Sequence, residues 1–194
     1  MNKNIEHYIF HKDNFLDQKE CKDYVKQLNE DVWIKHDWHY PTTDSFDTLS
    51  GNNEPENLNG DEWSDKVTKI NQAIIKKLHS EILDYIWSFK FDWYDAWNGY
   101  SGLKFIRYYP DQRMPKHCDH IHSLFDGERK GVPVLSIIGV LNDDYEGGEL
   151  IMLEDKKIDT KAGDLLIFPS NFLYPHQITP VTKGVRYSYV SWVW

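Results

Sequence analysis

The stretch that decides the fold is VPVLSIIGVLNDDYEGGELIML, residues 132–153. Its first ten residues are mostly apolar and rich in β-branched side chains, a composition typical of a buried strand. The polar residues 142–144 then begin a turn, and the glycine pair 147–148 can adopt positive φ at low cost before the extended pattern resumes. The stretch therefore predicts a buried strand followed by a β-hairpin.

Similar short segments surround this stretch on both sides. GLKFIRYY (102–109) precedes it, and AGDLLIFPS (162–170) and VRYSYVSWVW (185–194) follow it. At least seven short β-segments with turn signals in the second half, and helices mostly in the first half, favour a mainly β fold with flanking helices. We expect a double-stranded β-helix, the cupin-like jelly roll, in one domain spanning 1–194. Residues 1–99 would supply mainly helical support and a loop, and 100–194 the barrel.

Two helices are predicted in the first half. Asp17 is a suitable N-cap, and Glu20 three residues later completes a capping-box pattern. Residues 61–87 carry apolar side chains at steps of three and four, with lysines on the other faces, which predicts a helix with one buried stripe. We expect this helix to pack against the outside of the β-core.

The segments between these helices are β-prone or irregular. Residues 31–40 are aromatic and predict a strand or a strand pair. Residues 41–61 are rich in Asn, Asp, Ser, Gly and Pro, which predicts a long loop. Such a loop is either a lid over a functional site or a surface excursion.

Composition limits the classes of protein to which the chain can belong. The chain has 194 residues with a formal net charge of −9, two cysteines and no concentrated run of Lys or Arg. This charge disfavours nucleic acid as a partner, and two distant cysteines give no disulfide framework. No apolar run has membrane-spanning length, and no secretory signal pattern is visible at the amino terminus. We expect a cytosolic protein that does not bind membranes.

A metal site is predicted in the second half. PKHCDH contains His117 and Asp119, two positions apart, and His176 follows far downstream in YPHQITP. Side chains two apart on a strand point the same way, so the first two residues can share one metal. Two imidazoles and one carboxylate form the facial triad that binds iron(II) and leaves open positions. We therefore predict that these three residues are the metal ligands.

The last strand supplies an anion-binding residue. Arg186 lies ten residues beyond His176, and its guanidinium suits two-pronged binding of a carboxylate. Alternation along the strand places Ser188 and Trp192 on the same face as Arg186. Ser188 is therefore predicted to assist Arg186, and Trp192 to form a wall of the pocket.

The combined motifs resemble the iron(II)/2-oxoglutarate dioxygenases of the prolyl-4-hydroxylase type, including bacterial PKHD-type hydroxylases. The resemblance covers residues 100–194 and rests on Tyr108, the H-x-D pair, YEGGEL, AGDLLIFPS and the histidine followed by TPVTKGVR. It implies the same jelly roll and the cofactors Fe(II), 2-oxoglutarate and O2, with ascorbate as the reductant. It also implies that Tyr108 assists Arg186 in binding 2-oxoglutarate, although Tyr109 is the neighbouring alternative. The implied substrate is a proline-containing peptide or protein.

The remaining candidates concern the substrate pocket and the other histidines. Lys104 shares a strand face with Tyr108, and Tyr100 lies in an aromatic turn that leads to the site, so both join Trp192 as pocket candidates. Aromatic residues at this density usually pack in a core, which is the favoured interpretation of this turn. His36 and His39 are interpreted as structural, as are His120 and His122, although H-x-H also begins many cupin metal sites.

Three functions remain in competition. The first is hydroxylation of a peptidyl residue, and the second uses the same cofactors on a free amino acid, another small molecule or an alkylated base. The repair enzymes that act on alkylated bases carry a second Arg shortly after the first, whereas this chain has Trp192 there and no Arg after Arg186. The third is a non-catalytic cupin-like metal-binding module.

Overall fold

Antiparallel strands are the commonest regular elements in the computed structural model, which describes residues 4–36, 39–42, 45–48, 54–58, 63–90, 97, 99–119 and 133–194. The helices are a short 3-10 helix at Ile5–Tyr8, α1 at Gln18–Leu28 and α2 at Asp65–Ser88. The strands of the described residues are β1 Phe10–Lys12, β2 Ile34–Lys35, β3 His39–Thr42, β4 Ser45–Thr48, β5 Glu56–Leu58, β6 Lys104–Tyr108, β7 Met114–His117, β8 Leu135–Val140, β9 Glu146–Gly147, β10 Leu150–Met152, β11 Lys156–Ile158, β12 Leu165–Pro169, β13 His176–Ile178, β14 Val181–Lys183 and β15 Arg186–Val193.

Two sheets form the body of the protein. A seven-stranded sheet has the order β1-β12-β8-β15-β6-β5-β2, and a four-stranded sheet has the order β11-β10-β13-β7. β9 pairs with β14, and β3 pairs with β4. The pairing of distant strands, such as β6 with β15, brings segments far apart in sequence to one place.

The larger sheet separates two hydrophobic cores. Phe105 and Tyr189 face one core, which contains the buried side chains of both α-helices. Ile106 and Ile138 face the other core, together with apolar residues of the smaller sheet. Because neighbouring residues of a strand point to opposite faces, one strand contributes to both cores. The expected mainly β fold with supporting helices is confirmed.

The helices follow the sequence pattern closely. The Asp17 carboxylate accepts from the backbone N–H of Glu20, whose own carboxylate accepts from the N–H of Asp17, so the predicted capping box is present. In α2 the apolar stripe is buried, with Ile74, Leu78 and Ile82 fully inaccessible. This helix packs on the larger sheet as predicted. The described residues contain no helix with the length and apolar character that a membrane crossing requires.

Two predictions of local structure are wrong. The glycine pair does not form a hairpin between β9 and β10, because β9 pairs with β14 and β10 pairs with β11 and β13. The predicted loop 41–61 contains β4 and β5, and β5 extends the seven-stranded sheet beside β6. Backbone pairing with distant strands determines both segments, and local turn signals carry no information about it. The prediction that 41–61 forms a lid over the site concerns a segment that lies partly outside the described residues, and it stays a prediction.

Candidate metal centre

The three predicted metal ligands lie together between the two sheets. His117 ends β7, His176 begins β13, and the register of these strands places the two residues opposite each other. His117 Nε2 is 3.4 Å from Asp119 Oδ1, and His176 Nε2 is 3.7 Å from Asp119 Oδ2. One ligand atom from each residue lies within 4.8 Å of the others. Two imidazole nitrogens and one carboxylate oxygen at this spacing can bind one divalent metal ion.

Asp119 reaches the cluster from outside the predicted strand. β7 ends at His117, so the expected strand through Asp119 is wrong. Hydrogen bonds fix the aspartate instead: Ser170 Oγ donates to its backbone carbonyl at 2.6 Å, and Ser136 Oγ donates to Ser170 Oγ at 2.9 Å. Both serines are buried and come from β8 and the end of β12. They support a metal ligand in the way that outer hydrogen bonds commonly do.

Each imidazole is oriented by its own strand. His117 Nδ1 lies 2.8 Å from the carbonyl oxygen of Pro115, and His176 Nδ1 lies 3.2 Å from that of Tyr174. A carbonyl only accepts hydrogen bonds, so Nδ1 carries the proton in both rings. The Nε2 lone pairs therefore point to the shared position, as metal binding requires.

The charges of the cluster also suit a cation. Burial raises the pKa of the Asp119 carboxyl, but His176 and His117 outweigh that effect and the net pKa lies well below its usual range. Burial lowers the pKa of His176, which keeps its imidazole neutral. A charged carboxylate and a neutral imidazole are the protonation states that ligate metals.

Arg186 is a buried cation beside this cluster. Its side chain is only 1% exposed, and Nη1 donates to Ser188 Oγ at 2.8 Å. Nε and Nη2 have no hydrogen-bond partner in the described part of the chain. Tyr108 lies opposite Arg186 in the β6–β15 register, and its ring centroid is 5.3 Å from the guanidinium carbon. A buried guanidinium with Nε and Nη2 available to donate fits a ligand carboxylate, such as the far end of 2-oxoglutarate.

The YEGGEL motif makes room for this arginine. Gly148 has a φ of +60°, and a Cβ at this position would lie 3.1 Å from Arg186 Cδ and 3.0 Å from Val181 Cγ2. The positive φ and the close approach both favour glycine. The motif thus contributes to the site through its backbone, although it does not form the predicted hairpin.

The pocket around these residues has a volume of about 100 Å³. Lys104 and Trp192 line the pocket, as predicted, and the remaining lining residues of the described chain are His36, Ile106, Tyr108, Met114, His117, Asp119, Ile138, His176, Ile178, Arg186, Ser188 and Val190.

The structure does not bring Tyr100 into the pocket. It bridges to Val193 and packs against the core on the helical side. The aromatic turn was expected to lead to the site, but its backbone bridge to the end of β15 holds Tyr100 on the helical side of the sheet. Tyr109 also lies outside the pocket wall: it is 36% exposed and its ring lies near Arg107. Tyr108 is therefore the tyrosine in the pocket.

His36 is the pocket residue that sequence reasoning missed. It is buried, follows β2 and lies 2.9 Å from Lys104 Nζ through Nδ1. Burial lowers the pKa of His36 to about 3, with a further contribution from Lys104. Its sequence context, an aromatic strand far from the triad, carries no signal for this position. The predictions for His120 and His122, and for the side chain of His39, lie outside the described residues.

A second group of potential ligands has a structural role. His11, Asp13 and Asp164 lie close enough to hold an ion. However, the buried Asp164 carboxylate already accepts from the backbone N–H groups of Asn14 and Lys161 and contacts His11 Nε2 at 3.1 Å. These contacts attach β1 and the following turn to β12. They explain the aspartate of AGDLLIFPS.

The second half of the chain is similar to a known family of proteins. Residues 103–194 match the model of the 2OG-Fe(II) oxygenase superfamily. The chain is 41% identical over 104 residues to a PKHD-type hydroxylase of Alteromonas mediterranea, covering 50% of this chain and 42% of that protein. The chain thus spans less than half the length of this curated relative.

Solved structures show the same fold. A prolyl hydroxylase from Trichoplax adhaerens, bound to a hypoxia inducible factor peptide fragment, has a TM-score of 0.65 at 20% identity and covers 96% of this chain and 83% of its own. The viral collagen prolyl hydroxylase of Paramecium Bursaria Chlorella virus-1, in its 2OG complex, has a TM-score of 0.62 at 17% identity and covers 96% and 94%. These neighbours confirm the double-stranded β-helix, and residues 103–194 belong to the 2OG-Fe(II) oxygenase superfamily.

Proposed function

We propose that this protein is an iron(II)- and 2-oxoglutarate-dependent dioxygenase that hydroxylates a C–H bond of its substrate. In the overall reaction, substrate, 2-oxoglutarate and O2 give hydroxylated substrate, succinate and CO2. The observation that carries the proposal is the convergence of His117, Asp119 and His176 beside the buried Arg186, whose Nε and Nη2 have no hydrogen-bond partner among the described residues. When bound, the iron and 2-oxoglutarate supply the oxidising chemistry, and the protein supplies binding and orientation.

Each residue has a defined part in this proposal. His117, Asp119 and His176 hold the metal, with the serines behind Asp119 fixing its position. Arg186 binds the distal carboxylate of 2-oxoglutarate, Ser188 holds the guanidinium, and Tyr108 lies beside it. The apolar pocket wall excludes water around these groups, which strengthens their electrostatic interactions.

The substrate proposed first is a peptidyl proline. This choice follows from the prolyl hydroxylases among the structural neighbours, one of which is described with a bound peptide. Ascorbate is the proposed reductant, by the same family resemblance. The test is incubation of proline-rich peptides with protein, iron(II), 2-oxoglutarate and O2, followed by mass spectrometry and succinate analysis.

The expected result is a peptide that gains one oxygen atom together with an equal amount of succinate. If a free amino acid or another small molecule gains oxygen and no peptide is modified, the proposal of a proline substrate is wrong. The proposal of a dioxygenase then stands. If the protein binds metal but neither binds 2-oxoglutarate nor forms succinate, the proposal of an enzyme is wrong, and the protein is a non-catalytic metal-binding module.

A further inference from the structure

The pocket holds a second cation, Lys104, which the proposed reaction does not use. Lys104 lies on β6 and lines the pocket, and its Nζ is 2.9 Å from His36 Nδ1. An ammonium group only donates hydrogen bonds, so the His36 nitrogen accepts. The imidazole thus fixes the direction of the lysine side chain without neutralising its charge.

Lys104 has no ion-pair partner among the described residues. Lysines elsewhere in the described chain form such pairs, for example Lys77 with Glu20 at 2.6 Å and Lys183 with Glu146 at 2.7 Å. Burial lowers the pKa of Lys104 to about 8, and the opposing influence is the Asp119 carboxylate. A bound metal ion neutralises that carboxylate, so it no longer offsets the charge of Lys104. Lys104 is half-buried in this pocket, and a partly desolvated cation without a counter-ion favours a ligand anion at this position.

In the proposed function both carboxylates of the cosubstrate already have partners. In the β6–β15 register Arg186 is opposite Tyr108 and Lys104 is opposite Val190, so the two cations are four residues apart along the sheet. This separation is about 13 Å between their backbones. The carboxyl carbons of 2-oxoglutarate are at most about 6 Å apart across four C–C bonds. One of its carboxylates is assigned to Arg186 and the other to the metal.

We propose that Lys104, positioned by His36, binds a carboxylate of the primary substrate, so that the substrate is an acidic molecule. The inference rests on the proposed function and names its substrate class. The ammonium holds the carboxylate, and Ile106, Val190 and Trp192 in the same wall face the hydrocarbon part of the substrate. The carboxylate has two sources, the α-carboxylate of a free amino acid or an acidic side chain beside the target residue of a peptide.

The test measures binding, without turnover. The protein is loaded with Mn(II) and 2-oxoglutarate under nitrogen, and probes are titrated by calorimetry. One series pairs each proteinogenic amino acid with its amide. The other series pairs capped Pro-Glu and Pro-Asp dipeptides with Pro-Gln and Pro-Asn. The expected result is a carboxylate probe that binds about 10- to 100-fold more tightly than its amide, and the series that shows it identifies the source.

Variants separate charge recognition from a structural role. Lys104→Met should abolish the preference for carboxylate over amide, Lys104→Arg should keep it, and 2-oxoglutarate affinity should be unchanged in both. Lys183→Met removes an exposed lysine and should behave like the wild type. Lys104→Gln is a second neutral variant in case Lys104→Met does not fold. A structural role would lower the affinity for carboxylate and amide equally.

Contrary outcomes are distinguishable. Equal affinities in every pair, a preference that survives Lys104→Met, or no binding by any carboxylate probe would each overturn the inference. If 2-oxoglutarate still binds in those cases, the proposed dioxygenase stands. Failure of the wild type to bind Mn(II) and 2-oxoglutarate would overturn the proposed function and the inference with it.

Discussion

At the scale of single residues, the sequence predicted by type and spacing which side chains would lie around the candidate site. The H-x-D pair and the distant His176 lie together, and Arg186, Ser188, Lys104 and Trp192 line one pocket. Strand alternation is a local property and accounts for the four pocket residues, whereas Asp119 reaches the cluster from beyond the end of β7. His36 was missed and Tyr100 was misplaced, because their positions depend on strand pairing and on an irregular segment.

Removal of a predicted metal ligand should abolish turnover. His176→Ala deletes one of the two imidazoles at the cluster, and we expect succinate formation to fall by more than about 100-fold, since even outer partners of metal ligands contribute 10- to 100-fold. Binding of Mn(II), followed by calorimetry, should weaken in parallel. His79→Ala is the matched control, because His79 is an exposed residue of α2. Retained 2-oxoglutarate decarboxylation in His176→Ala would contradict the metal assignment.

Loss of the buried guanidinium should affect the cosubstrate more than the metal. Arg186→Met keeps the side-chain volume but removes the charge and the Ser188 contact. We expect the 2-oxoglutarate KM to rise about 10- to 100-fold, which corresponds to loss of charge-assisted hydrogen bonds. The Mn(II) affinity, measured without 2-oxoglutarate, should change little. An unchanged KM would place the carboxylate anchor elsewhere.

Helices and strands were predicted unequally well. The capping box of α1 and the apolar stripe of α2 are encoded within their own segments, and both are present. β5 and the strands flanking the glycine pair depend on partners elsewhere in the chain, such as β6 and β14. Local composition could identify these segments as irregular or as turns, but it could not identify their hydrogen-bond partners.

The packing of β8 against β15 should tolerate no added methyl group at Gly139. A Cβ at this position would lie 1.9 Å from Tyr189 Cζ, and Tyr189 is fully buried. Gly139→Ala should therefore reduce the free energy of unfolding by about 1–3 kcal/mol or more, measured by urea denaturation. The Tyr189 hydroxyl has no hydrogen-bond partner within the described chain, so Tyr189→Phe is the control and should not destabilise. Wild-type stability in Gly139→Ala would contradict this packing.

The whole molecule is built around one sheet with two different faces. One face packs against the helices and stabilises the fold, and the other contributes Lys104, Tyr108, Arg186 and Trp192 to the pocket. The general architecture was predictable, because many short strands with turn signals restrict the choice to a barrel or a sandwich. The partition of strands between the sheets was not predictable, since it is set by long-range pairing.

The free energy of unfolding of the whole molecule should decrease at high pH. Burial raises the pKa of the Cys21 thiol from 9.0 to about 12, with further increases from Glu20 and Asp17. The unfolded chain therefore releases this proton near pH 9, while the folded protein retains it, so stability falls as pH rises from 9 to 12. For Cys21 the loss at pH 10 relative to pH 8 is about 1.4 kcal/mol.

Urea denaturation at pH 8 and pH 10 measures this effect. In Cys21→Ala the stability difference between the two pH values should be smaller than in the wild type by about that amount. The absolute stability of the variant is not decisive, because only the change with pH is compared. An identical pH dependence in both proteins would show that the thiol does not contribute.

The hydrogen bonds from His117 and His176 to carbonyls two residues earlier have a consequence for metal exchange. Each ring is held by its own backbone, so little side-chain entropy remains to be lost when an ion arrives. A chelator should therefore remove the ion and leave the two rings in place. Repeated cycles of stripping and reloading should restore full occupancy without a refolding step.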